Sequence, residues 1–188
     1  MFLWRLMQPA ILAAFMVANS VEASGPWQFE AVAKGPRKLT ASGVITTPNG
    51  NRDCKLIFTA SAGNPITYAM DLRVAAVTEV KDFHFDDFEG PDATVTQKLF
   101  KIGLAGGKKP FEFSFCPAGG YVSEPKNGFS FGCYEKGKRN PLFILLAEAS
   151  KGSGKIYVRI MDSKSPKVVM QAEFPTEEAT GLFQELTR

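Results

Sequence analysis

Apolar and polar side chains alternate singly along most of this chain, and glycine- or proline-rich breaks interrupt the pattern roughly every 8 to 14 residues. A period of two is that of a half-buried β-strand, whose successive side chains point to opposite faces. Cys54, Leu56 and Phe58 share one face of their segment, and Phe111, Phe113 and Phe115 share one face around Glu112 and Ser114. Comparable runs at 27–33, 39–46, 66–77, 80–88, 93–104, 129–135, 142–149, 155–161 and 167–174 bring the expectation to about ten or eleven strands. Turn chemistry lies between them, as in Pro48-Asn49-Gly50, Gly63-Asn64-Pro65, Gly90-Pro91-Asp92 and Lys126-Asn127-Gly128. The pattern predicts an all-β fold, an antiparallel β-sandwich of jelly-roll type, because parallel α/β folds need helical stretches between their strands. The C-terminus departs from it. Ala179, Leu182, Phe183 and Leu186 follow helical spacing after Glu177 and Glu178, which predicts a short amphipathic helix capping the sheet.

The N-terminus reads as a cleavable secretory signal over residues 1–23. Arg5 precedes an apolar run from Leu6 to Ala18, then come polar Asn19 and Ser20 and a cleavage signature ending at Ala23. That run is too short to cross a bilayer core of about 30 Å. The expectation is therefore export to the periplasm or the medium, with no membrane insertion of the mature chain. Residues 24–188 would form one β-sandwich domain, since no linker or repeat divides them.

The net charge of +3 is spread over turns such as Lys136-Gly137-Lys138. A phosphate-binding surface needs clustered cations, so nucleic acid is not an expected partner. Three cysteines in an oxidising compartment suggest one disulfide and one spare thiol. If 111–116 and 129–134 are the arms of a hairpin, Cys133 shares the ring-bearing face while Cys116 turns away. Cys54 to Cys133 is then the better match, with Cys116 to Cys133 the alternative if a bulge turns Cys116 over.

Chemistry-bearing motifs are sparse. His84 is the single histidine, no Gly-x-Ser-x-Gly elbow accompanies it, and no phosphate-binding glycine loop occurs. No catalytic residue is assigned. On a strand from Lys81 to Phe88, Asp82, His84 and Asp86 would share one face, and with Glu89 in the next turn Asp82 and Asp86 form a weak Ca²⁺ candidate. The plainer reading is a solvated strand face, so no cofactor is expected. Carboxylates for glycoside hydrolysis would come from Asp82, Asp86, Glu112 or Glu135. Most of the sixteen phenylalanines belong in a core, and Tyr121, in a glycine- and proline-rich loop, is the aromatic expected to be exposed for contact. The function expected from all this is an exported, non-catalytic binding or structural module for a protein or glycan partner. The alternative is an exported carboxylate-dependent polysaccharide hydrolase.

Overall fold

A computed structural model describes residues 19–22, 26–48, 50–75, 100–106, 110–115, 122–124, 128–152, 154–162 and 165–188. Its strands are β1 (Asn19–Glu22), β2 (Trp27–Ala31), β3 (Arg37–Thr47), β4 (Gly50–Ser61), β5 (Thr67–Val74), β6 (Phe100–Ala105), β7 (Phe111–Phe115), β8 (Val122–Glu124), β9 (Gly128–Lys136), β10 (Lys155–Met161) and β11 (Val168–Pro175). Two helices, α1 (Pro141–Ala149) and α2 (Thr180–Thr187), complete the described residues, with a 3₁₀ turn at Glu177–Ala179 leading into α2.

The sheet is antiparallel throughout, as the alternation predicts. All eleven strands belong to one sheet in the order β7-β6-β10-β11-β3-β4-β5-β9-β8, with β1 and β2 attached beside β3. It curls into a nearly closed, barrel-like shape. Phe100 on β6 meets Phe131 on β9, strands far apart in that order, with ring centroids 4.5 Å apart. This contact shows how far the sheet turns back on itself.

The long strand β3 is the branch point. Residues 37–41 pair with β2, whereas Ile45 and Thr46 pair with β11 on the same edge. Gly43 lies at the parting, where the Phe174 ring covers it so closely that an added Cβ would sit 2.8 Å from a ring carbon. β3 and β4 pair over their whole length, joined by a tight turn whose Gly50 has φ +99°, a conformation glycine adopts without strain.

Two expectations need correction here. Residues 142–149 form a helix. Asn140 caps it, with Oδ1 accepting from Phe143 N at 2.6 Å, Pro141 occupies the first turn, and Leu142, Leu145, Leu146 and Ala149 are fully buried. Those four positions have helical spacing, but Phe143, Ile144 and Ala147 between them are apolar too, so that Glu148 alone marks a polar side and the period is hidden. The arms 111–116 and 129–134 are not a hairpin either. β7 pairs with β6 and β9 with β5, near opposite ends of the strand order.

Both helices cover one end of the barrel. α1 packs on β5 and β6, and α2 on β3 and β4. The predicted C-terminal helix is present with its apolar stripe inward, since Leu182, Phe183 and Leu186 are buried. Trp27, Phe58, Phe174 and Phe183 pack as a ring cluster, the closest pair being Trp27 and Phe183 at 4.9 Å. The Trp27 indole donates to Pro175 O at 2.6 Å, which satisfies its one polar atom and ties β2 to the end of β11. With Leu39, Leu56, Leu72, Ile102 and Ile160 fully buried, side chains fill the core.

Candidate functional site

On β4 the alternation sends Cys54, Leu56 and Phe58 into the core and leaves Asp53, Lys55 and Thr59 on the outer wall. Register extends that wall across neighbouring strands. Ser42, Lys55 and Arg73 form one row on β3, β4 and β5, and Val44 and Asp53 form the next, which Ala75 extends by donating its N–H to Asp53 O at 2.9 Å. Thr59, Ala69 and Tyr134 form a third row nearer the helices.

A groove of about 410 Å³ lies on this wall, lined by Ser42, Gly43, Asp53, Cys54, Lys55, Arg73, Val74 and Ala75. Its floor is strand backbone, because the Cys54 and Val74 side chains belong to the core. Its chemistry comes from Ser42, Asp53, Lys55 and Arg73, all exposed. Arg73 Nε donates to Asp71 Oδ2 at 2.7 Å, and that carboxylate is its only partner among the described residues. Lys55 has no hydrogen-bond or ion-pair partner among them. It stands directly opposite Arg73 in the register, a same-sign pair of a kind that destabilises a sheet.

The opposite wall, on β6, β7, β10 and β11, is also polar, but its groups answer one another. Tyr157 Oη donates to Glu112 Oε2 at 2.8 Å, Lys101 Nζ lies 3.1 Å from Glu112 Oε1, and Arg159 stacks over the Tyr157 ring at 4.2 Å. Arg159 Nε donates to Gln171 Oε1 at 2.9 Å, Gln171 donates to Glu173, and Lys155 pairs with Glu173 at 3.2 Å. Partial burial raises the Glu112 pKa, but hydrogen bonds from Tyr157 and Lys101 and the charges of Lys101 and Arg159 outweigh it, leaving the carboxyl below its ordinary value. Burial and the bond to Glu112 push the Tyr157 hydroxyl up to about 12. This network staples four strands, and its charged groups answer one another among the described residues.

Glu135 lies elsewhere. It faces inward beside Tyr68, its cross-strand partner, at the helix-covered end. Burial raises its pKa more than the Leu142 N–H lowers it, and its Oε2 and the Tyr68 hydroxyl are buried without hydrogen-bond partners among the described residues. Glu112 and Glu135 therefore sit on opposite faces of the sheet and do not flank a common space.

Of the other residues singled out from sequence, Asp82, His84, Asp86, Glu89 and Tyr121 lie outside the described residues, as does Cys116. No group of three or more metal-ligating His, Cys, Asp or Glu side chains occurs among the described residues. The expected Cys54 to Cys133 bridge is corrected: both thiols are buried and free. Both face the core, but Cys54 pairs with Val74 while Cys133 pairs with Met70, four residues along β5. That offset is about 13 Å along the strand plus two strand spacings, far beyond disulfide reach. Burial instead pushes both thiols up to about 12, with smaller contributions from Asp53 at Cys54 and Glu135 at Cys133.

The wall also carries residues that the sequence reading passed over. Lys55 and Arg73 gain their meaning only from the register, which sets them opposite each other. Tyr134, 63% exposed, is the open aromatic among the described residues. Comparison of the chain with known protein families, with curated proteins and with solved structures finds no match.

Proposed function

We propose that this chain is an exported, non-catalytic module that binds a glycan through the outer wall of β3, β4, β5 and β9. The observation that carries the reading is the groove beside Lys55, which has no partner among the described residues, and Arg73, which has only Asp71 there, on the same wall as exposed Tyr134. Binding sites are concave and combine apolar surface with a few convergent polar groups. Tyr134 supports a sugar over a protein partner, because its ring stands beside small neighbours, Ala69 and Thr59 in its own row and Gly132 two residues along β9. An aromatic face on a flat, hydroxylated surface suits ring stacking. The barrel works here as a sandwich does, presenting two outer walls, of which the Glu112 wall serves stability and the Lys55 wall serves the ligand. Export rests on the N-terminal signal reading. Strand β1 falls within the segment to be removed, so β2 becomes an edge strand after cleavage.

The test is a thermal-shift screen of the purified protein against neutral and acidic oligosaccharides. A ligand at a hundred times its Kd stabilises by about 2.7 kcal/mol, several degrees for a domain of this size. The expected result is such a shift with at least one sugar, reduced by Tyr134→Ala. If no sugar moves the Tm, the glycan reading is overturned. Recovery from the cytosol of a protein retaining residues 1–23 would overturn export.

A further inference from the structure

Building on that glycan reading, we propose that the groove recognises the carboxylate of a uronic-acid residue, so that the ligand is an acidic polysaccharide rather than a neutral one. Lys55 and Arg73 are cross-strand partners on one face, where side chains sit about 5 Å apart at Cβ. An anion between them turns the repulsion into two charge-assisted hydrogen bonds. Arg73 is prepared for this, because Asp71 engages its Nε and leaves the two terminal NH₂ groups, the fork that grips a planar carboxylate. Asp71 also fixes the guanidinium from one side.

Neighbouring residues suit a sugar bearing that carboxylate. Ser42 extends the cationic row by one strand, and Asp53 lies one row along, so a hydroxyl donor-acceptor and a pure acceptor flank the anion position. Ala69, the partner of Tyr134, is four residues from Arg73 along β5, about 13 Å, which separates the charge-reading end of the wall from its ring-stacking end. A chain of a few sugar rings covers that span, with Asp71 and Gly132 paired between the two ends. An acidic peptide fits less well: this is a sheet face with no free backbone edge to pair with an extended strand.

The experiment compares three probes by calorimetry at low salt: a galacturonic acid oligomer, the same oligomer fully methyl-esterified, and a poly-glutamate peptide. The proposal expects the acid oligomer to bind, the ester to bind at least about tenfold more weakly, and poly-glutamate not to bind. Lys55→Gln and Arg73→Gln should each lower affinity for the acid about tenfold and lower the weak ester binding by a smaller factor, whereas Tyr134→Ala weakens both alike. Because Lys55→Gln removes a same-sign pair, its Tm at low salt should equal or exceed the parent's, which separates lost binding from lost folding. Equal binding of acid and ester overturns the carboxylate proposal and leaves the glycan reading standing. If neither sugar nor any neutral oligosaccharide binds, the glycan reading falls and takes this proposal with it. Tight poly-glutamate binding that depends on Lys55 and Arg73 overturns the sugar as ligand in favour of an acidic peptide.

Discussion

Gly103→Ala is a small substitution that should act like a large one. Gly103 sits on β6 between Glu112 of β7 and Tyr157 of β10. A Cβ added there would lie 2.5 Å from the Tyr157 ring and 2.6 Å from Phe111 O, against an ordinary contact of about 3.5 Å. The carbonyl is backbone held in the β6–β7 ladder, so close to 1 Å of adjustment must come from a strand. Overpacking of this kind costs about 1 to 3 kcal/mol. The ring must also leave its place, which takes the Tyr157 hydroxyl from Glu112, and a hydrogen bond to a charged group contributes about 1.5 to 3 kcal/mol. The expected loss is roughly 3 to 5 kcal/mol, on the order of 10 °C in Tm. It should also depend on pH. With its folded pKa lowered, Glu112 contributes stability that is present above the ordinary carboxylate range and is lost as pH falls through the folded value. Displacing Tyr157 removes part of that contribution, so the gap between parent and variant narrows from pH 7 to pH 3. The assay is urea unfolding at both pH values, with Gly181→Ala as control. Gly181 is inside α2 with open space around it, and alanine there should add about 0.5 to 1 kcal/mol. A loss below about 1 kcal/mol for Gly103→Ala, or a gap that does not change with pH, would refute the reasoning.

Other consequences concern the buried polar groups. Tyr68→Phe removes a fully buried hydroxyl that has no hydrogen-bond partner among the described residues, so it should be neutral or stabilising by up to about 1 kcal/mol in urea unfolding, and a clear loss would contradict this. Glu135 has a raised folded pKa, so its contribution is favourable below the ordinary carboxylate pKa and is lost as pH rises through the folded value. Glu135→Gln should therefore be more stable than the parent at pH 7, with the advantage gone near pH 4, and equal stability at both would refute it. Cys54 and Cys133, held at about 12, should resist iodoacetamide at pH 8 in the native protein and react once urea unfolds it. Peptide mapping reads each thiol separately, and native labelling of either would contradict its burial.

How far the sequence exposed this structure depends on whether a feature is local. The inward face of β4 and the stripe of α2 were legible because one strand or one helix sets their periodicity. Leu142 to Ala149 misled because a helix buried on most sides carries little polar contrast, although Asn140 and Pro141 mark its start. The cysteine pairing failed for another reason: a shared face is a local property, whereas the four-residue offset between Cys54 and Cys133 comes from the pairings of β4 with β5 and of β5 with β9. The Lys55 and Arg73 pair has the same origin, being eighteen residues apart in sequence and opposite only through register. Tyr134 showed the strand parity that sends it outward, but the loop containing Tyr121 drew the expectation of an exposed ring.

The most direct test of the account is a ¹⁵N-resolved titration of the purified protein with a galacturonic acid oligomer. The predicted result is a contiguous set of shifted amides on one wall, at Ser42, Lys55, Arg73 and Tyr134 and the strand residues between them, with Lys101, Glu112 and Arg159 on the other wall unmoved. Shifts centred on the Glu112 network, or a saturable titration that leaves Lys55 and Arg73 untouched, would contradict it.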